Sequence, residues 1–600
     1  MPDVVPVLER RHKLAVDQLA EWLEHAVRAD RLAEQRLRAT YPNRAFVAGW
    51  RVPTDFSGVV RELDLLVGRE FPFSLPRVGL GGPEEFLVWP HVEEDGLLCL
   101  PARTGVHYAI EQAKIALSDS YELVSLNLLA PPFQHFKDEF LSYWARDLRT
   151  KGLPMTSILR AGGPSRQIVV WRGTIWNILA EDEGHLRSWF QNRFGVKENP
   201  PQAEPAAFIW LGQPLLPDQY PKTASDIWAL SRDTQDAREI LRQLAATTPR
   251  RVVVVLGAES TNGPCLAAVT VSAPTTGVPG KKGNTLQKGF RPGRVPPDIA
   301  SGRFWNAASQ ASRSEVTRAD APWVHGRGRD SKQERLGEAK VVIVGGGSVG
   351  APVAVHLAMA GIGQLVIVDP EKLTAANTGR HPLGAKYIGK YKAEALSGEL
   401  RENYPHHQFE FRNDTWQEVN AAEPQLISDA SLIVSATADW NTDDAMNTWH
   451  VDRDKTPPIV YGWTEEHACA GHAVLINPGE GACFACGLNP DGTAKLRVTR
   501  WPGLMLNQEP GCGAVYQPYG PIELSHTASL ISELAIGALL GETPETHHRI
   551  WACRLQFLQA SGGQWTEEWL ASANQRAEGG YVTDSEWARD PVCRVCGTHS

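Results

Sequence analysis

Several stretches of this 600-residue sequence combine residue types and spacings that could do chemistry. The first is VVIVGGGSVG, residues 341–350, where Gly345, Gly347 and Gly350 fit the pattern GxGxxG between an apolar strand-like run and the helical run APVAVHLAMAG. Glycine lets backbone approach a phosphate, and a helix N-terminus presents free N–H groups to an anion. Asp369 ends the next apolar run, QLVIVD, where a carboxylate can accept hydrogen bonds from ribose hydroxyls. By itself this pattern fits NAD and ATP equally well.

The residues that follow separate the two. DPEKLTAANTGRHPLGAKYIGKYKAEAL places Asn377, Arg380 and Lys392 shortly after Asp369. A hydride-transfer site has no evident need for that set, whereas a nucleoside triphosphate attacked by a carboxylate does. Two cations would neutralise the phosphates and the charge developing at the α-phosphorus, and an acid such as Asp439 in VSATADWN could hold Mg2+. Any one of these cations could simply solvate a loop, but the ordered set favours the nucleotide.

The chain has nine cysteines. Cys483 and Cys486 in ACFACG, with Cys593 and Cys596 in DPVCRVCG, offer four soft thiolates, the set that Zn2+ takes in closed tetrahedral sites. Such a zinc is structural, because four protein ligands leave no open position. Neither pair sits at the start of a helix after a strand, as a redox pair would. Cys512 lies in a glycine- and proline-flanked loop before an apolar helical run, and Cys99 lies in FPFSLPRVGLGGPEEFLVWPHVEEDGLLCLP. Cys265, Cys469 and Cys553 read as packed small residues.

The elements that must position these groups fall into three segments. Residues 1–160 open with a helix-period run, continue with the strand-like FVAGWRV, VRELDLLVG and PRVGL, and return to helical sequence from about Tyr108, an α+β order. Residues 161–330 read as an α/β linker domain with strands RQIVVWRG, AAFIWLG and RRVVVVLGA and a helical run over 227–245; no catalytic constellation is visible there. The Gly-, Pro- and Lys-rich SAPTTGVPGKKGNTLQKGFRPGRVPPD reads as a mobile connection. Residues 331–600 form the third segment, an α/β domain opened by the glycine turn. The expected class is therefore α/β and α+β multidomain.

Bulk properties narrow the partners. Net charge is −9 at pH 7 with Lys and Arg scattered, which argues against non-specific nucleic-acid binding. No uninterrupted apolar run reaches the roughly eighteen residues a membrane helix needs. The start, MPDVVPVLERRHKLAV, meets charges too early for a secretory signal, so a cytoplasmic location is expected.

With Gly345, Gly347, Gly350, Asp369, Glu371, Asn377, Arg380, Lys392 and Asp439, residues 331–600 resemble the ThiF/MoeB-like adenylating enzymes that include the ubiquitin-activating enzymes. The resemblance implies a Rossmann-like adenylation domain that uses ATP and Mg2+ on the C-terminal carboxylate of a protein modifier, with a structural Zn2+ on the two cysteine pairs. It also implies that Cys512, in the loop between the first zinc pair and the apolar helix, accepts the activated carboxylate as a thioester. Residues 10–150 resemble the ubiquitin-conjugating fold in element order, in FPFSLP, in a flap histidine and in GLLCL, which makes Cys99 a second acceptor. The resemblance departs at HVEED, where His91 remains but the usual oxyanion asparagine is missing; His91 and His107 are candidate neighbours of the thiol.

The order of conjugating, linker and adenylation domains resembles the activating/conjugating enzymes of antiphage CBASS operons. That implies a modifier supplied in trans, a cyclic-oligonucleotide synthase, joined to lysine amines of target proteins, and a homodimer through the adenylation domains. Three other readings stand beside it: a sulfur-carrier adenylyltransferase that leaves the N-terminal domain idle, an N-terminal domain that is a non-catalytic ubiquitin-binding scaffold, and an NAD-dependent oxidoreductase.

Overall fold

The computed structural model describes residues 4–103, 108–146, 152–195, 202–232, 235–247, 249–274, 285–291, 294–307, 309–328, 330–453, 455–479, 481–503, 507–508, 515–543, 545–573 and 576–597. Contacts divide the chain into two units, residues 1–183 with 202–318, and residues 184–201 with 319–600.

The first unit begins with the helix Val4–Glu21 and a four-stranded antiparallel sheet in the order Asp30–Arg31, Phe46–Phe56, Val59–Gly68, Arg77–Gly79. The last three are the predicted meander. Their inward residues Trp50, Leu63, Leu65 and Val78 are fully buried in one cluster with Leu19 and Leu23 from the first helical segment. Burial of such a set is the main driving term for this small layer. A charge inside it is neutralised: Asp64, 1% exposed, receives Nε and Nη2 of Arg51 at 2.8 and 3.0 Å and the Tyr41 hydroxyl at 3.2 Å. The long helix Ala109–Leu129 follows the loop that carries Cys99.

The rest of this unit is a closed barrel of seven strands, Met155–Ser157, Arg166–Arg172, Asn177–Ala180, Glu204–Trp210, Arg251–Ser260, Gly263–Ser272 and Ala311–Arg318. Three of them are the predicted apolar runs. Closure is not evident in sequence, because two staves are only three and four residues long and another, ASRSEVTR, is largely polar. The helical run expected over 227–245 is two helices, Ala224–Leu230 and Gln235–Ala246.

The second unit is built on an eight-stranded sheet ordered Gln408–Arg412, Gln364–Val368, Lys340–Val344, Leu432–Ser435, Ile459–Thr464, Ala470–Ile476, His547–Arg554, Gly579–Ser585. The first five strands run parallel and the remaining pairings are antiparallel. Strand order reverses between Lys340–Val344 and Leu432–Ser435, the position at which doubly wound sheets open a ligand crevice. Helices Gly350–Ala360 and Pro521–Leu540 bury Leu357, Leu530, Ile531 and Leu534 against the sheet. No helix among the described residues is long and apolar enough to cross a membrane.

Candidate functional site

The glycine turn lies at that reversal, and each of its glycines has a different job. Gly345 has φ +92°, and its N–H donates to the Val368 carbonyl at 2.9 Å. A Cβ on Gly345 would stand 2.6 Å from the Ala436 carbonyl oxygen, and one on Gly350 would stand 1.8 Å from the Gly345 carbonyl oxygen, so neither position can hold a larger residue unless backbone moves. Gly347 meets nothing within 4 Å and leaves that side of the turn open.

Asp369 is 5% exposed behind the turn. Its Oδ2 accepts from the Gly346 N–H at 2.7 Å and its Oδ1 from the Glu371 N–H at 2.8 Å. Burial pushes its pKa up, opposed by these two N–H groups and by nearby Lys392. Lys392 is itself buried at the first turn of the helix Lys392–Asn403, with its ammonium on the Glu371 carboxylate, so it is no solvated surface cation. The Arg380 guanidinium lies 5.0 Å from the Tyr519 ring centre, and the Tyr519 hydroxyl is 3.4 Å from Ser348 in the glycine turn. Asn377 turns inward on its own segment, where its side-chain oxygen accepts from the N–H and hydroxyl of Thr374.

Asp439 caps the helix Trp440–Val451. Its two oxygens accept from the N–H groups of Asn441 and Thr442, each at 3.2 Å, and from the Thr442 hydroxyl at 2.7 Å. That hydroxyl, with the other donors, holds its pKa below the usual carboxylate value. The preceding Ala438 has φ +54°, a left-handed conformation that costs a non-glycine residue energy and is concentrated at functional sites.

Two residues at the crevice escaped sequence reasoning. His381 is 7% exposed; its Nδ1 accepts from the Leu383 N–H at 3.1 Å, so Nε2, 2.8 Å from the Gly346 carbonyl, carries the hydrogen. Burial lowers its pKa, and the ring is a neutral prop for the turn. Asp443 is pushed up to about 6 by burial, although Ser435 and Thr437 hydroxyls donate to it. It stands one helical turn after Asp439, a spacing shared by any capped helix and so no signal by itself.

The four cysteine sulfurs form a compact group within 4.8 Å of one another. Cys483 lies 3.8 Å from Cys486 and 3.6 Å from Cys593, and Cys486 lies 3.3 Å from Cys596. Tetrahedral zinc thiolates place sulfurs about 3.8 Å apart, so the set fits that ion with small adjustments. The Asn447 amide and the Val595 N–H approach Cys483 and Cys593 at 3.6 and 3.5 Å, the outer-shell donors that thiolate ligands attract.

Cys99 sits in the first unit between opposite charges. Its sulfur is 3.5 Å from Glu93 Oε1 and 3.6 Å from Arg146 Nη1. Glu93 also receives Arg44 and, at 2.6 Å, Arg77. Burial pushes the Cys99 thiol up, and Arg146 pulls it down. The Cys99 N–H donates to the His91 carbonyl at 2.8 Å; His91, at φ +63°, is held by the Tyr143 hydroxyl on its N–H and by His135 on its ring. His91 is thus a brace for the thiol loop. Cys265, Cys469 and Cys553 are buried as expected. Cys512 and His107 lie outside the described residues.

Comparison with known proteins agrees with this division. Residues 324–555 match the ThiF family and residues 20–151 match the Prokaryotic E2 family B. The chain is therefore a fusion of a ubiquitin-conjugating-like domain and a ThiF-type, ubiquitin-activating-like domain. Among its relatives is the ubiquitin-like modifier-activating enzyme 5 of Xenopus laevis, 32% identical over 167 residues, which are 26% of this chain and 41% of the relative. Another is the ATP-dependent ubiquitin transferase-like protein Cap2 of Pseudomonas aeruginosa, 26% identical over 241 residues, 39% of this chain and 42% of that one. The match spans about two fifths of the length of these curated relatives. The solved structure of E. coli MccB with MccA-N7isoAsn covers 44% of this chain and 69% of its own at 20% identity and a TM-score of 0.32.

Proposed function

We propose that the chain activates the C-terminal carboxylate of a protein modifier with ATP and Mg2+ and conjugates it to amines. The observation that carries this reading is that one chain joins a ThiF-family domain to an E2-family domain, and that Cys99 is the cysteine left partly exposed outside the four-cysteine cluster among the described residues. In this reading residues 1–160 conjugate, 161–330 link and 331–600 adenylate.

The turn Gly345–Gly347–Gly350 receives the phosphates and Asp369 the ribose. Arg380 and Lys392 offset the charge that develops as the modifier carboxylate attacks the α-phosphorus and pyrophosphate leaves. Lys392 would exchange its present partner Glu371 for phosphate. Asp439 would hold Mg2+, which supplies further neutralisation on the phosphates; its oxygens now accept from Asn441 and Thr442, so it would release part of its cap to do so. Zn2+ on Cys483, Cys486, Cys593 and Cys596 would act as a cross-link. The Cys512 thiolate attacks the acyl-adenylate and releases AMP, the Cys99 thiolate takes the acyl group, and a target lysine amine removes it. Arg146, at the Cys99 sulfur, would offer a cationic donor to the oxyanion in place of the neutral amide of the missing asparagine. In this reading, which the resemblance to CBASS enzymes supports, the modifier is a cyclic-oligonucleotide synthase, the setting is antiviral defence in the cytoplasm, and the assembly is a homodimer.

A second reading, sulfur-carrier adenylation beside a scaffold domain, draws on the upward-shifted Cys99 thiol, which is a poorer nucleophile near neutral pH. One experiment separates them. Wild type, Cys99→Ala and Cys512→Ala are incubated with Mg-ATP and lysate of the source cells, then examined on a non-reducing gel and by intact mass. The relay predicts a thiol-labile adduct that stalls on Cys512 in Cys99→Ala and vanishes in Cys512→Ala. AMP formation with no adduct on either cysteine would overturn it and favour the second reading.

A further inference from the structure

Among the described residues a second group of side chains has metal-ligand chemistry: His325, His406 and His407, each offering a ring nitrogen within 4.8 Å of the others. His325 lies in the last turn of the helix Ala321–Gly326, and His406 and His407 immediately precede the strand Gln408–Arg412. His325 Nε2 lies 2.8 Å from His406 Nε2 and 2.8 Å from His407 Nε2. On its other side, His325 Nδ1 lies 2.9 Å from the Met359 carbonyl oxygen, which can only accept, so Nδ1 carries the hydrogen. A neutral imidazole protonated there has a bare lone pair at Nε2. Two further imidazole nitrogens converge on that single lone pair, and as hydrogen-bond donors they could not both be satisfied by it.

A cation between three lone pairs removes the conflict. A histidine whose far N–H is anchored on a backbone carbonyl is also the usual outer-shell arrangement of a metal-bound imidazole. Met359 belongs to the last turn of the helix Gly350–Ala360, whose carbonyl end carries partial negative charge. Asn192 Nδ2 donates to the Pro405 carbonyl at 3.0 Å and steadies the turn that presents the two adjacent histidines. His407 is buried, while His325 and His406 keep some exposure, so an ion has access.

We propose that His325, His406 and His407 form a zinc site, with water in the fourth position, separate from the four-cysteine cluster. Imidazole donors suit borderline divalent ions, and three of them leave one tetrahedral position open. With Zn–N bonds of about 2.0–2.1 Å the nitrogens would stand about 3.3 Å apart, so the rings need to part by only a few tenths of an ångström on binding. The helix Gly350–Ala360 runs from the glycine turn to this cluster, which places the ion at the opposite end from the nucleotide, about 15 Å of helix away. The site would pin that helix, the helix Ala321–Gly326 and the edge strand of the sheet to one another.

The test uses the full chain, stripped with chelator, incubated with excess ZnCl2, desalted and assayed for zinc per chain by mass spectrometry. His325→Gln and His406→Gln, both at partly exposed positions, should each hold one zinc fewer than wild type. Zinc content unchanged in both variants would overturn the proposal. A second measurement does not depend on how the variants fold. Wild type titrated with Co2+ should develop visible d–d bands from a further equivalent after the sulfur-to-cobalt charge transfer of the cysteine cluster has saturated; no further equivalent would sink the site. Because the two signals differ, loss of the histidine site and failure of the cysteine cluster are told apart.

Discussion

The crevice at the glycine turn and the Cys99 site are built from different materials. The crevice is made mostly of backbone: Gly345 meets the Ala436 carbonyl and Gly350 the Gly345 carbonyl at distances that exclude a Cβ, and the Gly346 N–H holds Asp369. The Cys99 site is made of side chains, Glu93 and Arg146 at the sulfur and Arg44 and Arg77 behind, from positions as far apart as 44 and 146. Each holds one non-glycine residue in left-handed conformation, Ala438 and His91. Backbone construction leaves Gly345 and Gly350 almost no room for substitution, whereas side-chain construction can be tuned residue by residue.

Substitutions should expose that difference, most strongly at the turn. Gly350→Ala should weaken binding of a non-hydrolysable ATP analogue by roughly 100-fold or more, while Gly347→Ala, which meets open space, should change it little. Calorimetry on both variants checks this, and equal losses would mean the two glycines are not distinguished by packing. In the same crevice Arg380→Ala should slow AMP formation by roughly 100- to 1,000-fold, the scale of one lost transition-state cation.

Next in size is the cysteine cluster. Cys596→Ser should lower unfolding free energy by several kcal/mol, on the order expected for losing a structural zinc ligand, before nucleotide affinity changes. A variant melting like wild type with its zinc gone would count against the metal.

Smaller still is the effect of Asp443. Its folded pKa of about 6 lies above its ordinary 3.8, so the folded state holds the extra proton between these values. Stability therefore falls as pH rises from about 4 to about 6 and is level above. Asp443→Asn should gain on the order of 1–2 kcal/mol at pH 7.5 and remove that slope, read from denaturant melts across the range.

The mildest changes belong to Cys99. Arg146→Ala should slow its alkylation by iodoacetamide at pH 8, and Glu93→Gln should speed it, each by roughly three- to tenfold, since Arg146 lowers and Glu93 raises the thiol pKa. Peptide mass mapping of Cys99 reads both, and shifts of the same sign would refute the opposed-charge picture.

This contrast also explains what could be read from sequence. Glycines 345, 347 and 350, Asp369 at a strand end and the paired cysteines carry their meaning locally, because a turn, a strand terminus or a two-residue spacing already constrains geometry. The N-terminal meander was legible for the same reason. His381 and Arg146 acquire their roles from partners brought in by the tertiary fold, Gly346 and Cys99. Asp443 bonds to nearby Ser435 and Thr437 but owes its shifted pKa to burial that the sequence does not display. The barrel hid its closure in short or polar staves such as Met155–Ser157 and Ala311–Arg318, whose pairing partners are remote. The triple histidine group was half visible as an adjacent pair, but His325 stands 81 residues from His406.

The two halves of the four-cysteine cluster are separated by 110 residues, Cys483 meeting Cys593 and Cys486 meeting Cys596. The glycine turn, Asp369, Arg380, Lys392 and Asp439 precede both halves, whereas Tyr519, beside Arg380 and Ser348, lies between them. During synthesis the first pair must wait, with two thiols and no partners, until residue 596 has left the ribosome. A chain interrupted in that interval would carry the glycine turn, Asp369 and Asp439 but only half a cluster. Any cross-link through the cluster can therefore form only after the second cysteine pair has emerged.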